Sequence, residues 1–274
     1  MSRGHIAILT TECFASSDAV KRLASRLGRR VALLVVSHPD QETSLPSQVR
    51  THLRRSGPRF LQFLLANFSI YELLTGPLGR SAARLARRSP PESLAAFCKS
   101  RGIGHVVTQD VNDLATRRAI ADAKIDTIVV LYFDKILGLD LLDAVPGGAL
   151  NVHGALLPEY RGLFPEIWAL GSGESEVGVT VHRIVDRGID SGPIIAQARK
   201  PVTPGMTALD LSYDVNIAGA ELVADLLDGD GVLGAVEQQA GSYFSYPSPE
   251  AMRRLVARGH RPASFLRVIR AMLA

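Results

Sequence analysis

Apolar residues in this chain gather in short, nearly unbroken runs separated by longer amphipathic stretches. HIAILTT (5–11), RVALLVVS (30–37), GHVVT (104–108) and TIVVLYF (127–133) are such runs, rich in β-branched residues. Segments of this length and type read as strands buried on both faces. Between them, residues 17–27, opened by the polar triplet SSD, and residues 113–123 carry helical periodicity. The alternation predicts an α/β fold built on a Rossmann-like, mostly parallel sheet.

Two stretches modify that picture. Residues 41–103 lack any strand pattern and are rich in Arg and apolar residues. They predict a helical insertion whose apolar stripe (Phe60, Leu61, Leu64, Leu65, Phe68, Leu73, Leu74) packs against the core or a second subunit, the basis for expecting a possible homodimer. Asn67, Ser69 and Glu72 interrupt the run, and it is too short to span a bilayer. Further on, VGVTVHRI (177–184) and PIIAQARKPV (193–202) flank a tight DRGIDSG segment, and a helix follows over 208–227. A short strand (GSYFSYP) and a basic helix over about 249–273 suggest a small C-terminal unit, residues 231–274, appended to a main domain of residues 1–230.

Composition changes little. The chain has 274 residues, 46% of them hydrophobic and 21% charged, ordinary values for a globular protein. Its two cysteines fit neither a disulfide framework nor a metal spacing. The first apolar run is too short for a signal peptide or a membrane span, so a cytoplasmic protein with no membrane association is expected. The net charge of +4 comes mostly from Arg; it permits an anionic substrate without requiring one. There is no P-loop, no GxGxxG after the first strand, no HExxH or paired CxxC, and no G-x-S-x-G. No metal is expected.

Candidate chemistry concentrates in LNVHGALLPEYRG (150–162). Side chains alternate along a strand, so Asn151 and His153 share one face while Leu150 and Val152 turn to the core. Asp190 sits in the Gly-bounded turn RGIDSG, between strands that a sheet can bring alongside. A His with a carboxylate partner is a proton-transfer group, and an Asn amide can bond a developing oxyanion. Without a Ser or Cys nucleophile, the set suggests direct transfer of an acyl-type group to an external nucleophile. Taken singly, a His near a buried strand end is more often structural, and an Asp in a Gly-flanked turn is more often a turn former.

The motifs LNVHGALLPEYRG, then Pro165 and Trp168, then GVTVH, then GIDSGPIIAQ, resemble the folate-dependent formyltransferases. That family includes methionyl-tRNA formyltransferase, glycinamide ribonucleotide transformylase and amino-sugar N-formyltransferases. The likeness covers residues 125–230 well and the first strands loosely. It implies that Asn151, His153 and Asp190 are a catalytic trio and that 10-formyltetrahydrofolate is the co-substrate. It also implies a pterin pocket formed by Asp134, Lys135, Ile136 and Leu137 on one side and by Val185, Asp186 and Ile189 on the other.

The resemblance thus leads to an N-formyltransferase acting on a small-molecule amine. Two rivals stand beside it: a formyltetrahydrofolate deformylase, in which water replaces the amine, and a non-catalytic folate- or nucleotide-binding protein. The deformylases carry a regulatory domain before their core, whereas here the first strand begins at His5. The tRNA-modifying enzymes carry a barrel domain after theirs, whereas only a short segment follows residue 227, so a tRNA substrate is not expected. An amino sugar on a nucleotide carrier, or a specialised-metabolite amine or hydroxylamine, remains as the acceptor.

Overall fold

The computed structural model describes residues 4–38, 45–85, 87–229 and 234–273. Residues 41–44 and 231–233, which open the expected insertion and C-terminal unit, lie outside them. In chain order the elements are β1 (His5–Thr11), α1 (Phe14–Leu27), β2 (Val31–Ser37), α2 (Leu45–Leu64), α3 (Ile70–Thr75), α4 (Pro77–Leu85) and α5 (Leu94–Arg101). Then come β3 (Gly104–Thr108), α6 (Leu114–Asp122), β4 (Ile125–Leu131), α7 (Leu139–Asp143), β5 (Ala149–His153), β6 (Arg161–Gly162) and α8 (Pro165–Ser172). The chain continues with β7 (Glu176–Ile184), β8 (Ile194–Pro201), α9 (Ala208–Asp228), β9 (Tyr243–Phe244), α10 (Pro249–Ala257) and α11 (Phe265–Leu273).

A seven-stranded sheet in the order β3-β2-β1-β4-β5-β7-β8 forms the centre. The first five strands run parallel; β7 lies antiparallel to β5, and β8 antiparallel to β7. This is the mostly parallel α/β sheet that the hydrophobic pattern predicts. Both faces are covered, and the residues divide by alternation. Ile6, Ile8, Leu34, Val36, Val129 and Leu131 pack with α1, α5 and α9 on one side. Ala7, Leu9, Leu33, Val35, Ile128 and Val130 pack with α6 and α7 on the other. Helix α9 approaches the sheet so closely that a Cβ at Gly219 would lie 2.3 Å from Val152 and 2.9 Å from Val179. A side chain there has no room.

The insertion is mainly helical among the described residues, and the expected stripe packs only in part: Phe60 is in the core, and Leu64 and Phe68 lie partly against it. Phe60, Phe63, Ala66 and Asn67 are the fully buried row; Phe60 meets Phe164 edge-on with ring centroids 4.9 Å apart. Leu61, Leu64, Phe68 and Leu74 are half-buried, while Leu65 and Leu73 are 40% and 55% exposed. Leu61, Leu64, Leu65 and Phe68 stand next to the buried row on the helix surface and line an open cavity, which is why they are at most partly packed. A kink at Gly57 (φ 80) before Pro58, and a wide π-type turn at Leu65–Ser69, bend the insertion around that space.

The C-terminal segment is built into the molecule, in contrast to the appendage expected from its sequence. Met252, Leu255 and Val268 belong to the same apolar cluster as Phe60, Ile167 and Leu209. Strand β9 pairs with β6, and α10 lies on α8 and α2. The single terminal helix expected over 249–273 is two helices, broken where Gly259 takes φ +86 and Pro262 lacks an N–H.

These packing differences predict unequal costs. Phe60→Ala should lower unfolding free energy by about 3–5 kcal/mol, whereas Leu73→Ser should change it by less than about 0.5 kcal/mol. Urea denaturation checks both; equal costs would show that the buried row has been misassigned.

Candidate active site

The strand order reverses between β1 and β4, and in open α/β sheets ligands bind beyond the carboxyl ends of strands at such a switch point. A cavity of about 980 Å³ lies there. Thr11, Ser37, Tyr132 and His153 mark the strand ends on its floor, Leu61, Leu64, Leu65 and Phe68 of the insertion form one wall, and residues 186–190 form another.

Strand β5 delivers Asn151 and His153 to this cavity, and its register with β7 sets Asn151 opposite His182 and His153 opposite Thr180. Asp190 arrives from the turn between β7 and β8 in a left-handed conformation (φ 49). Its carboxylate is the hub. Oδ1 accepts from the Asn151 amide nitrogen at 2.9 Å and lies 3.5 Å from His182 Nε2. Oδ2 accepts from the Gly162 backbone N–H at 2.9 Å and lies 3.5 Å from His153 Nδ1. Gln238 fixes the turn itself, donating to the carbonyls of Asp190 (3.0 Å) and Gly192 (2.6 Å). Burial alone would raise the Asp190 pKa; the His153 charge, His182 and the Gly162 amide outweigh it and hold the carboxyl at about 2.

The three residues singled out in sequence are therefore brought together. Asn151, however, does not offer a free donor. Its amide nitrogen faces both Asp190 and His182 Nε2, the latter at 3.0 Å. His182 Nδ1 donates to the Arg183 carbonyl at 2.9 Å, which leaves Nε2 as the acceptor. In this arrangement Asn151 braces Asp190 rather than presenting its hydrogens to the cavity. His153 likewise donates from Nε2 to the Tyr160 carbonyl at 2.9 Å.

The loop residues Asp134, Lys135, Ile136 and Leu137 line the cavity, as do Asp186 and Ile189. The loop is pinned by Asn112, which accepts from the Gly138 N–H at 2.6 Å and donates to the Ile136 carbonyl at 3.0 Å. Lys135 and Asp134 pair at 3.4 Å. Val185 differs from expectation: it is 56% exposed and does not line the cavity, because the chain turns outward as β7 ends at Ile184.

Sequence reasoning missed His182 and Glu166. His182 was findable, since the period-2 argument applied to GVTVH places Thr180 and His182 on one face. Glu166 is 4% exposed, lines the cavity, and has an Oε1 with no hydrogen-bond partner. Burial pushes its carboxyl up to about 7, with the Ser212 hydroxyl and its own backbone N–H only partly opposing the shift. Its signal was a lone carboxylate inside the apolar stretch FPEIWAL. No group of His, Cys, Asp and Glu able to hold a metal ion occurs among the described residues, and no helix there is long and apolar enough to cross a membrane.

Fold and site together define an α/β protein with an Asn-His-Asp cluster at the topological switch point of its sheet. The family model for formyl transferases matches residues 77–227, more than half of the chain, and the protein belongs to that family. Solved structures share the fold. An N-formyltransferase from Helicobacter canadensis in complex with folinic acid and dTDP-3-aminofucose is 21% identical (TM-score 0.55), covering 88% of this chain and 71% of its own. WlaRD, a sugar 3N-formyl transferase crystallised with dTDP and 5-N-formyl-THF, is 19% identical (TM-score 0.53), with 89% and 70% covered. Phosphoribosylglycinamide formyltransferase from Streptococcus pneumoniae TIGR4 is 19% identical (TM-score 0.54), with 82% and 97% covered.

The Glu166 carboxyl gives a pH signature. Its pKa is 4.5 in the unfolded chain and about 7 when folded, so folding favours the neutral acid. That contribution is complete below pH 4.5 and is lost as pH rises through 7, for a total of roughly 3 kcal/mol. Relative to wild type, Glu166→Gln should gain stability between pH 4.5 and 8 and level off above it. Chemical denaturation across that range checks this, and a flat difference would contradict the burial.

Proposed function

We propose that the protein transfers the formyl group of 10-formyltetrahydrofolate to the amine of a small molecule. The observation that carries this reading is the Asp190 hub on the cavity floor, a cluster of one ionised carboxylate, two imidazoles and one amide with no serine or cysteine nucleophile among its members. The cavity suits such a donor. Ile136, Leu137 and Ile189 supply apolar walls for a flat heteroaromatic ring, and the loop carrying two of them is held rigidly by Asn112. Its volume lies at the upper end of the usual range for small-ligand pockets, roughly 300–1,000 Å³, as two substrates side by side require.

In this mechanism His153 releases the Tyr160 carbonyl and donates a hydrogen bond from Nε2–H to the formyl oxygen, where negative charge grows as the amine adds to the formyl carbon. Asp190, ionised throughout the neutral range, steadies the positive charge on His153. Asn151 and His182 hold Asp190 in position. The proton leaving the amine passes, directly or through water, to the departing folate nitrogen. The ligands named for the Helicobacter canadensis and WlaRD structures support a reduced folate and a nucleotide-linked amino sugar as the substrate types.

Two variants test the assignment. His153→Ala and Asp190→Asn should each lower turnover by about 100-fold or more, while circular dichroism and binding of 5-formyltetrahydrofolate stay near wild type. Turnover is read from a panel of nucleotide-linked amino sugars, simple amines and hydroxylamines by the mass gain of one formyl group. Donor cleavage without any formylated amine would assign the deformylase reaction; donor bound but never consumed would leave a binding protein.

A further inference from the structure

One polar group at the cavity wall is unused by this mechanism. Glu166 is the second residue of α8, after Pro165, and four residues beyond the Gly162 amide that holds Asp190. Pro165 lies against the backbone just after His153: a Cβ at Gly154 would sit 3.7 Å from its ring. The Glu166 side chain thus lies between α8 and the Ser212 turn of α9, and it borders the cavity that the catalytic cluster lines.

Its carboxyl is more than nine-tenths buried, one oxygen has no partner, and no cation pairs with it among the described residues. A carboxyl so placed is costly to keep unless a ligand satisfies it. Burial leaves it with a pKa of about 7, so that a proton-bearing ligand both finds an acceptor and can leave its proton behind. The Ser212 hydroxyl acts on the carboxyl but leaves Oε1 without a partner, and the other polar side chains nearby are taken. Tyr132 is engaged by the Asn67 amide at 2.9 Å, and the Asn216 amide donates to the Ser212 carbonyl at 2.7 Å.

We infer that Glu166 is the docking point for the acceptor's amine, which enters as an ammonium ion, so that the acceptor is a charged primary amine rather than an uncharged hydroxylamine or an alcohol. This inference rests on the formyl-transfer reading. The ammonium N–H bonds the free Oε1 and one proton moves from nitrogen to the carboxylate. The neutral amine so formed keeps its lone pair for the formyl carbon, and the Glu166 carboxylic acid carries the proton until it passes to solvent as the product leaves. No other co-reactant is needed.

The test runs the acceptor panel on wild type and on the isosteric Glu166→Gln, with 5-formyltetrahydrofolate binding as the check on folding and on the donor half of the site. For each amine that wild type formylates, kcat/KM should fall by about 30-fold in the variant, with the folate Kd unchanged. Unchanged kcat/KM overturns the inference, as does a wild type that prefers hydroxylamines or alcohols to primary amines. A second measurement needs no turnover. In ¹³C-glutamate-labelled protein, the carboxyl signal missing from Glu166→Gln should move on addition of ethanolamine but not of ethylene glycol. If it moves in a protein that formylates nothing, the amine site stands and the formyl-transfer reading falls; if it stays still, the amine site falls.

Discussion

The ionised carboxylate of Asp190 is the constraint around which the site is arranged. A carboxylate removed from water is tolerated only where donors and positive charge replace its hydration. Here they come from Asn151 and His153 on β5 and from the Gly162 backbone on β6, while His182 on β7 accepts from the Asn151 amide and so braces it. Asn151, His153 and Gly162 would each lose a partner if Asp190 moved. The cluster therefore ties the parallel half of the sheet to its antiparallel edge. The same ties make the electrostatics asymmetric: Asp190 stays charged at neutral pH, whereas Glu166, nearby but without cations, does not fully do so.

Holding these groups in place strains the backbone. Tyr132, Tyr160, Phe164 and Asp190 all take positive φ, and all four border the cavity or bond a group that does. Left-handed geometry costs a non-glycine residue about 1–2 kcal/mol. Such strain persists only where surrounding contacts over-determine it. At Asp190 the contacts are the hub itself and Gln238; at Phe164 they are the aromatic rings of Phe60, Phe63 and Tyr246. The C-terminal segment is thus part of the site's scaffold, since Gln238 and Tyr246 both belong to it.

Much of this was legible in the sequence, and the limits have physical causes. Strands such as VALLVVS read clearly because burial on both faces leaves no polar interruption. The Asn151–His153 pair read clearly because alternation in a strand is rigid. The insertion's buried face was read only in part: Phe60 is buried as expected, but Leu61, Leu64, Leu65 and Phe68 repeat as regularly as the row that is buried, and periodicity alone does not say whether an apolar row meets a core or a cavity. The break at Gly259 and Pro262 carried a sequence signal that the strong amphipathic pattern on both sides obscured. Gln238 had no signal, because its role depends on a turn nearly fifty residues away.

The insertion also follows from the sheet's need for closure. A parallel sheet leaves its carboxyl ends open, and something must wall that side without filling it. Asn67 shows how the wall is attached. Fully buried, it accepts from the Ala15 N–H at the start of α1 and donates to the Tyr132 hydroxyl at the end of β4. Glu12, just beyond β1, accepts from the Tyr71 hydroxyl and from the Leu94 N–H, so that the middle of the insertion and the start of α5 meet one carboxylate. Removing the segment would strand a buried amide and a buried phenol, at about 1–3 kcal/mol each, beyond the lost aromatic packing. An element joined at the strand ends by polar bonds, with apolar side chains left facing the cavity, is a wall of the binding site. Variation along Leu61, Leu64, Leu65 and Phe68 then alters which ligand fits while the fold stays intact.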